Sequence, residues 1–274
     1  MTLYTSTVVT PRRPARVWAK IGENTAYAIG LPIVLLVAWG IWSTAASAAF
    51  FPSPVAIAEA FVETWIGPAF FRDVLPSLAR LAIGAALAIA VGIVAGTLIG
   101  LLRWLRELLE PILEFFRAVP PPVLIPIFVT LMGPTDAMKV AVIVAGATWP
   151  VLLNTIEGVR STDSVMTETA RSFALTRSER LRFLVLPAAS PRIMAGIRQC
   201  LSIALILMVI SELAYSSSGL GYQIVYFQRN YLIVEMWSGI VLLGLIGVLL
   251  AAIFGFAERR VLRWYHGIKE VERA

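Results

Sequence analysis

The sequence is poor in the residues that carry most enzyme chemistry. Its 274 residues include one cysteine, Cys200, and one histidine, His266. A lone cysteine cannot close an intrachain disulfide, and a catalytic zinc ion generally needs at least three protein ligands, often histidines. We therefore expect no disulfide framework, no metal centre and no cofactor.

Lysine is also scarce, and its positions bear on nucleotide binding. Lys20, Lys139 and Lys269 follow alanine, methionine and isoleucine, so no lysine follows a glycine. The phosphate-binding loop of nucleotide-hydrolysing proteins requires Gly-Lys followed by serine or threonine. The chain cannot bind ATP by such a loop.

Charged residues of any kind are few. They make up 15% of the chain, against 58% hydrophobic residues and a mean hydropathy of +0.81. Average soluble domains are about 25% charged, so the composition predicts a polytopic all-α membrane protein. The net charge of +6 would suggest a nucleic-acid partner in a soluble protein. Here the basic residues lie in short segments between apolar runs, where they orient the protein in the bilayer, and we expect no nucleic-acid partner.

The apolar runs predict six transmembrane helices. The third is irregular and begins near Glu107; the other five cover roughly 27–47, 76–101, 140–156, 195–214 and 236–256. The predicted regions are a disordered cytoplasmic tail (1–20), a first helix and outer loop with a short helix at 54–65 (21–69), a transmembrane core (70–258) and a basic cytoplasmic tail (259–274).

Two of the predicted spans contain proline breaks. The third contains Pro120, Pro121 and Pro122 in succession, and the fourth is interrupted at Trp149-Pro150. Proline removes a backbone donor, and a broken helix at membrane depth is tolerated only where protein or a water-filled cavity covers it. The segment 117–126 is therefore either the lining of a transport pathway or a kink at a helix entrance.

The segment 160–198 is the only long polar stretch between spans. It holds seven arginines, and with the basic ends of the chain it defines one positively charged side. The positive-inside rule makes that side cytoplasmic, together with both termini.

Local signals divide this segment into two short helices. Asp163 ends a run of N-cap residues, which predicts a first amphipathic helix over roughly 163–175. Thr176 and Glu179 have capping-box spacing, so a second helix begins at 177. We expect it to end before Pro187, because the residue preceding proline disfavours helical geometry.

At these residues the chain resembles a known family. Glu168-Thr169-Ala170-Arg171, followed by Ala174 and by Leu186-Pro187, resembles the EAA loop of binding-protein-dependent ABC-transporter permeases. The segments Glu110–Pro121 and Ser218–Tyr222 resemble the nitrate, sulfonate and taurine branch. The resemblance covers roughly 70–258. Thr169 stands where the family usually has alanine, and Ala174 where it usually has glycine.

The resemblance implies a type I importer fold (MetI-like) in the cell inner membrane, with loop 161–187 forming coupling helices. The implied partners are an ATPase dimer, a periplasmic or lipid-anchored substrate-binding protein and a second permease copy. The implied cargo is a small anion: a sulfonate, taurine, nitrate or an organic carboxylate. The chain would carry out no covalent chemistry. The implied coupling residues are Glu168, Thr169, Ala170, Arg171, Ala174, Arg177 and Arg180.

Polar groups inside the spans are further candidates. Glu212 could line an outer gate, pair with Arg229, or snorkel to the interface. Asn154 and Ser211 could meet the cargo, although helix–helix hydrogen bonds are the commoner use of such groups. A close-packing face of the second span, structural or at a dimer contact, is predicted from Gly84, Gly92, Gly96 and Gly100.

Two other functions compete with the importer. An ion-coupled secondary transporter would need intramembrane carboxylates as coupling sites, and Glu212 alone is weak support. An intramembrane enzyme would need a catalytic constellation, which the sequence lacks. A stably bound ATPase and ATP-dependent transport would distinguish the importer from both.

Overall fold

The computed structural model describes residues 14–45 and 50–265, with side chains from residue 30 onward, and every regular element in that part is helical. Two compact units are present, residues 1–59 and 60–274. The helices are α1 (Pro14–Ala45), α2 (Pro54–Trp65), α3 (Leu75–Leu101), α4 (Arg103–Ala118), α5 (Ile125–Met132), α6 (Asp136–Arg160), α7 (Ser164–Ser172), α8 (Arg177–Arg180), α9 (Leu186–Tyr215), α10 (Leu220–Arg229) and α11 (Ile233–Val261).

Helix α1 begins earlier than the sequence suggested. It starts at Pro14, so the prediction of a disordered tail is wrong for residues 14–20, and residues 1–13 lie outside the described part. Proline is tolerated in the first turn of a helix because its missing donor would have no partner there. The following helix, α2, occupies the predicted range 54–65.

Four helical segments are long and apolar enough to cross a membrane: Phe70–Leu101, Asp136–Arg160, Arg177–Tyr215 and Ile233–Val261. Helix α4 and the segment Pro121–Met132 form a fifth span if a pair bent by 93° is counted as one. The first predicted span, 27–47, ends outside the described residues. Within the described part its apolar helix, Gly30–Ala45, is too short to count as a spanning segment. The described residues therefore support four or five spans.

Helix α6 lies between α3 and α9 and forms the centre of the second unit. The predicted glycine face of α3 packs against it: a Cβ on Gly84 would lie 2.6 Å from the Ile143 side chain, and one on Gly92 would lie 2.6 Å from Val151. Gly96 and Gly100 contact α6 in the same way. The glycines thus allow two helices of one chain to approach closely, and the alternative of a dimer contact at this face is wrong.

Two proline predictions also need correction. Helix α6 is unbroken at Pro150 because it is packed on both sides, so burial outweighs one missing backbone bond. The second helix of the segment 160–198 was expected to end before Pro187, but the helical segment that begins at Arg177 continues through Pro187 to Tyr215. A π-turn, Leu181–Val185, joins α8 to α9 and places Pro187 in the first turn of α9, where no donor is required.

Candidate functional site

The insert between α6 and α9 is held by local caps. Asp163 accepts hydrogen bonds from the backbone N–H groups of Val165 (2.6 Å) and Met166 (3.4 Å), and so begins α7. Thr176 and Glu179 form the predicted capping box: the Thr176 hydroxyl accepts from the Glu179 N–H, and the Glu179 carboxylate accepts from the Thr176 N–H at 2.9 Å. Hydrogen bonds from the Thr176 hydroxyl and backbone lower the pKa of Glu179.

The turn between the two caps contains a left-handed residue. Ala174 has φ +53°. The Leu175 N–H donates to the Ala170 carbonyl at 3.1 Å, and the Ala174 N–H donates to the Arg171 carbonyl at 2.9 Å. These two bonds define a Schellman motif, in which glycine is the usual left-handed residue. The turn keeps that geometry although its left-handed residue is an alanine.

The loop exposes both charge and apolar surface. Of the predicted coupling residues, Glu168, Thr169, Arg171 and Arg177 are exposed, Arg180 is half-buried and Ala170 is buried. Neither Glu168 nor Arg171 has an ion-pair partner among the residues that the structure describes. The large apolar side chains of α7 and its C-cap are exposed: the exposed fractions are 67% for Val165, 57% for Met166 and 77% for Phe173, the C-cap residue.

The proline break lies against the centre of the core. Pro120 is exposed and Pro122 half-buried, while Pro121 fits against Gly146, where an added Cβ would lie 2.6 Å from its ring. Asn154 donates to the Pro150 carbonyl at 2.8 Å, and the fully buried Ser211 donates to the Met208 carbonyl at 2.8 Å. Both bonds stay within one helix, so within the described part of the chain neither side chain makes the helix–helix bond considered above.

At the opposite end of the spans lies a buried ionic cluster. Arg80 bonds Glu212 at 2.6 Å and Asp136 at 2.8 Å, joining α3, α9 and α6. The exposed fraction is 5% for Arg80 and 0% for Glu212. Lys139 is also buried and donates to Ser216 at 2.8 Å. Two of the alternatives considered for Glu212 are wrong: it does not pair with Arg229 and does not snorkel to the interface, since it is fully buried and bonded to Arg80.

Glu212 is also surrounded by the segment that precedes α10. Its carboxylate accepts from the Gly221 N–H at 3.0 Å and is within 2.9 Å of the Ser77 hydroxyl. Gly219 has φ +116°, and a Cβ there would lie 2.6 Å from the Glu212 carboxyl carbon. Buried Asp73 accepts from the Gly219 N–H at 3.1 Å and from Gln223 at 3.0 Å. Main-chain and side-chain donors together satisfy the buried carboxylates.

Sequence reasoning found Glu212 but missed the residues that hold it. Arg80 lies inside the predicted second span, and an arginine there is itself a signal of a paired, functional group. Asp73 and Lys139 fall in or beside predicted loops, where charged residues are common and do not by themselves indicate a functional site. Among the described residues, no group of three His, Cys, Asp or Glu side chains is placed to hold a metal ion.

Comparison with known proteins gives consistent results. Residues 88–265 match the family model described as the binding-protein-dependent transport system inner membrane component. The aliphatic sulfonates transport permease protein of Bacillus subtilis (strain 168) is 32% identical over 236 residues, covering 85% of this chain and 86% of that protein. The taurine transport system permease protein of Escherichia coli (strain K12) is 29% identical over 255 residues, covering 89% and 92%.

The fold is also similar to that of a solved transporter. An inward-facing structure of the MetNI methionine ABC transporter has a TM-score of 0.57 at 19% identity, covering 69% of this chain and 94% of that one. At this identity the similarity shows the fold alone, and it confirms the prediction of a MetI-like permease fold.

Proposed function

Because this chain belongs to the family of binding-protein-dependent transport system inner membrane components, we propose that it is the permease subunit of an ATP-driven importer for a small anion. Loop 161–187 contacts a separate ATPase dimer and transmits its movement to the spans. A substrate-binding protein delivers the cargo on the outer side, and a second copy of this chain completes the pathway. Both termini lie in the cytoplasm.

The observation that carries this proposal is the surface of α7. Val165, Met166 and Phe173 are exposed beside Glu168 and Arg171, two charges without ion-pair partners among the described residues. Exposed apolar side chains bordered by charge are typical of a protein–protein contact. The absence of a Gly-Lys phosphate-binding signature from the sequence supports an ATPase on another chain.

The cargo class is inferred from the relatives. The two relatives described above are named for aliphatic sulfonates and for taurine, both of which carry a sulfonate group. The chain is similar to them over most of its length, and we therefore propose a sulfonate or a related small oxyanion, such as nitrate, as the cargo. The ion-coupled alternative loses its main support, because Glu212 is paired with Arg80 and fully buried.

Charge reversal at Glu168 tests the proposal. The permease is co-expressed with its ATPase and reconstituted with the binding protein in proteoliposomes. Glu168→Lys should reduce co-purification of the ATPase and ATP-driven uptake at least tenfold, because it removes an exposed charge at the proposed contact. The matched control is Glu63→Lys, which changes an exposed glutamate on α2. Unchanged assembly and uptake in Glu168→Lys would refute this role of the loop.

A further inference from the structure

Helix α4 ends halfway along the length of span α6. Phe116 stacks on Trp149 with ring centroids 5.5 Å apart and an interplanar angle of 10°, and Pro121 lies against Gly146. At a rise of 1.5 Å per residue, Trp149 lies about 20 Å from the Asp136 end of α6 and about 16 Å from its other end. The hydrocarbon core of a bilayer is about 30 Å thick, so the end of α4 lies near mid-membrane.

The surface of α4 has three different faces. One apolar face packs on the inner ends of α3 and α6 through Leu105, Leu109 and Leu113. A second apolar face is exposed and consists of Trp104, Leu108, Ile112 and Phe115. At 3.6 residues per turn, all the charged residues of the helix fall within about 100° on the remaining face. They are Arg103, Arg106, Glu107, Glu110, Glu114 and Arg117.

Arg117 is the deepest charge on this face. Its side chain is 61% exposed and lies 3.1 Å from the Glu114 carboxylate, whose side chain is 60% exposed. Charged side chains at this depth face a water-filled cavity or the interior of a bundle, because contact with lipid is too unfavourable. The break in the helix at Val119 and Pro120 follows directly and has the same requirement. Both features indicate that the pathway passes the Arg117 end of this face.

We propose that Arg117 binds the acidic group of the cargo at mid-membrane, with Glu114 as its counter-charge when the site is empty. This inference rests on the proposed function, which supplies an oxyanion as cargo. A guanidinium group presents a planar fork of donors that fits sulfonate, nitrate or carboxylate oxygens. An exposed ion pair is weak, so an entering oxyanion can displace Glu114. A cargo with an ammonium group, such as taurine, would also contact Glu114.

The same helix offers a matched control pair. Arg103 and Glu107 form an exposed ion pair at 2.7 Å, at the inner end of the charged face. In proteoliposomes with ATPase and binding protein, Arg117→Gln should reduce uptake of radiolabelled taurine or nitrate at least tenfold, while ATP hydrolysis stimulated by the binding protein stays within twofold. Arg117→Lys should be intermediate, and Arg103→Gln should transport like the parent.

Equal uptake in Arg117→Gln and Arg103→Gln would overturn the proposal. A parallel loss of stimulated ATP hydrolysis and uptake in Arg117→Gln would also overturn it, because it would indicate a structural role. Failure of the proposed function looks different: the parent complex itself would then show no ATP-dependent uptake.

A second measurement needs neither cargo nor ATP. Cys200 is the only cysteine and is fully buried, so Cys200→Ala provides a background for labelling. Glu114→Cys in this background should react with a water-soluble anionic methanethiosulfonate. Adding Arg117→Gln removes the neighbouring positive charge, so it should lower the rate of reaction with the anionic reagent several-fold more than the rate with the cationic analogue. Absence of labelling, or an equal effect on both reagents, would refute an anion-binding face.

Discussion

The two ends of the helical core treat charge in opposite ways. At the end that we propose faces outward (the outer end), Arg80 and Glu212 are buried, and the Glu212 carboxylate has partners from the same chain. At the end that carries α7 and that we propose faces the cytoplasm (the inner end), Glu168 and Arg171 are exposed and have no ion-pair partner in the described part of the molecule. Buried paired charges fix the arrangement of the elements that supply them, whereas unpaired exposed charges are available to another protein. The buried Arg80–Glu212 pair is thus complete within one chain, whereas Glu168 and Arg171 are left without ion-pair partners in its described part.

Removing one charge from the outer cluster should produce the largest effect. Arg80→Ala leaves Glu212 buried without its cation, and loss of one partner from a buried pair costs about 3–5 kcal/mol. The free energy of unfolding can be measured by SDS titration in mixed micelles. The control is Arg192→Ala, which breaks an exposed pair with Glu157 at 2.5 Å and should cost at most about 1 kcal/mol. Equal losses in the two variants would contradict the contrast between the ends.

A glycine substitution at the outer end should have the next largest effect. Gly219→Ala adds a Cβ that would lie 2.6 Å from the Glu212 carboxyl carbon at φ +116°, and the strain should cost about 2–3 kcal/mol. Gly133→Ala is the control, because its φ of +68° and ψ of 179° lie in the same glycine-only region of backbone conformation, but its nearest neighbour is 4.0 Å away; backbone strain alone should cost about 1–2 kcal/mol there. The same titration separates strain from collision, and similar losses would show that the contact with Glu212 does not matter.

At the inner end, an apolar truncation should affect association rather than stability. Phe173→Ser removes a side chain that is 77% exposed, so the free energy of unfolding should change by less than about 0.5 kcal/mol. If Phe173 contacts the ATPase, affinity should fall by more than about 1 kcal/mol. Phe71→Ser, at a position 69% exposed near α3, should leave affinity unchanged. Binding of the ATPase to each surface-immobilised permease variant measures both affinities. Identical values for Phe173→Ser and Phe71→Ser would exclude Phe173 from the contact.

The smallest effect should be a pH dependence at the start of α8. Hydrogen bonds from Thr176 lower the pKa of Glu179, so the carboxylate stabilises the cap above the ordinary glutamate pKa and loses that effect as pH falls through the lowered value. Hydrogen exchange of the amides at 177–180, corrected for intrinsic rates, should show less protection at pH 4 than at pH 7. Glu179→Gln should abolish this difference; if the difference persists, another group causes it.

Local signals were read correctly from the sequence, and long-range pairings were not. The capping box at Thr176 and the range of α2 follow from residues close in the chain, and the structure confirms both. The partner of Glu212 depends on how α3 packs beside α9, which no local pattern encodes, so Arg229 was considered as a partner and Arg80 was not. Continuation of the helix past Pro187 depends on a π-turn, which shifts the hydrogen-bond register without a recognisable sequence signature.

That π-turn has a mechanical consequence. It makes Arg177–Tyr215 one continuous helical segment, which begins beside the exposed α7 and carries Glu212 near its far end. At 1.5 Å per residue, Arg177 and Glu212 are about 50 Å apart along it. A tilt imposed on its first turn would displace the carboxylate at the other end without any helix unfolding. A single helical segment, rather than a chain of side-chain contacts, therefore connects the α7 end of the core to the end that holds Glu212.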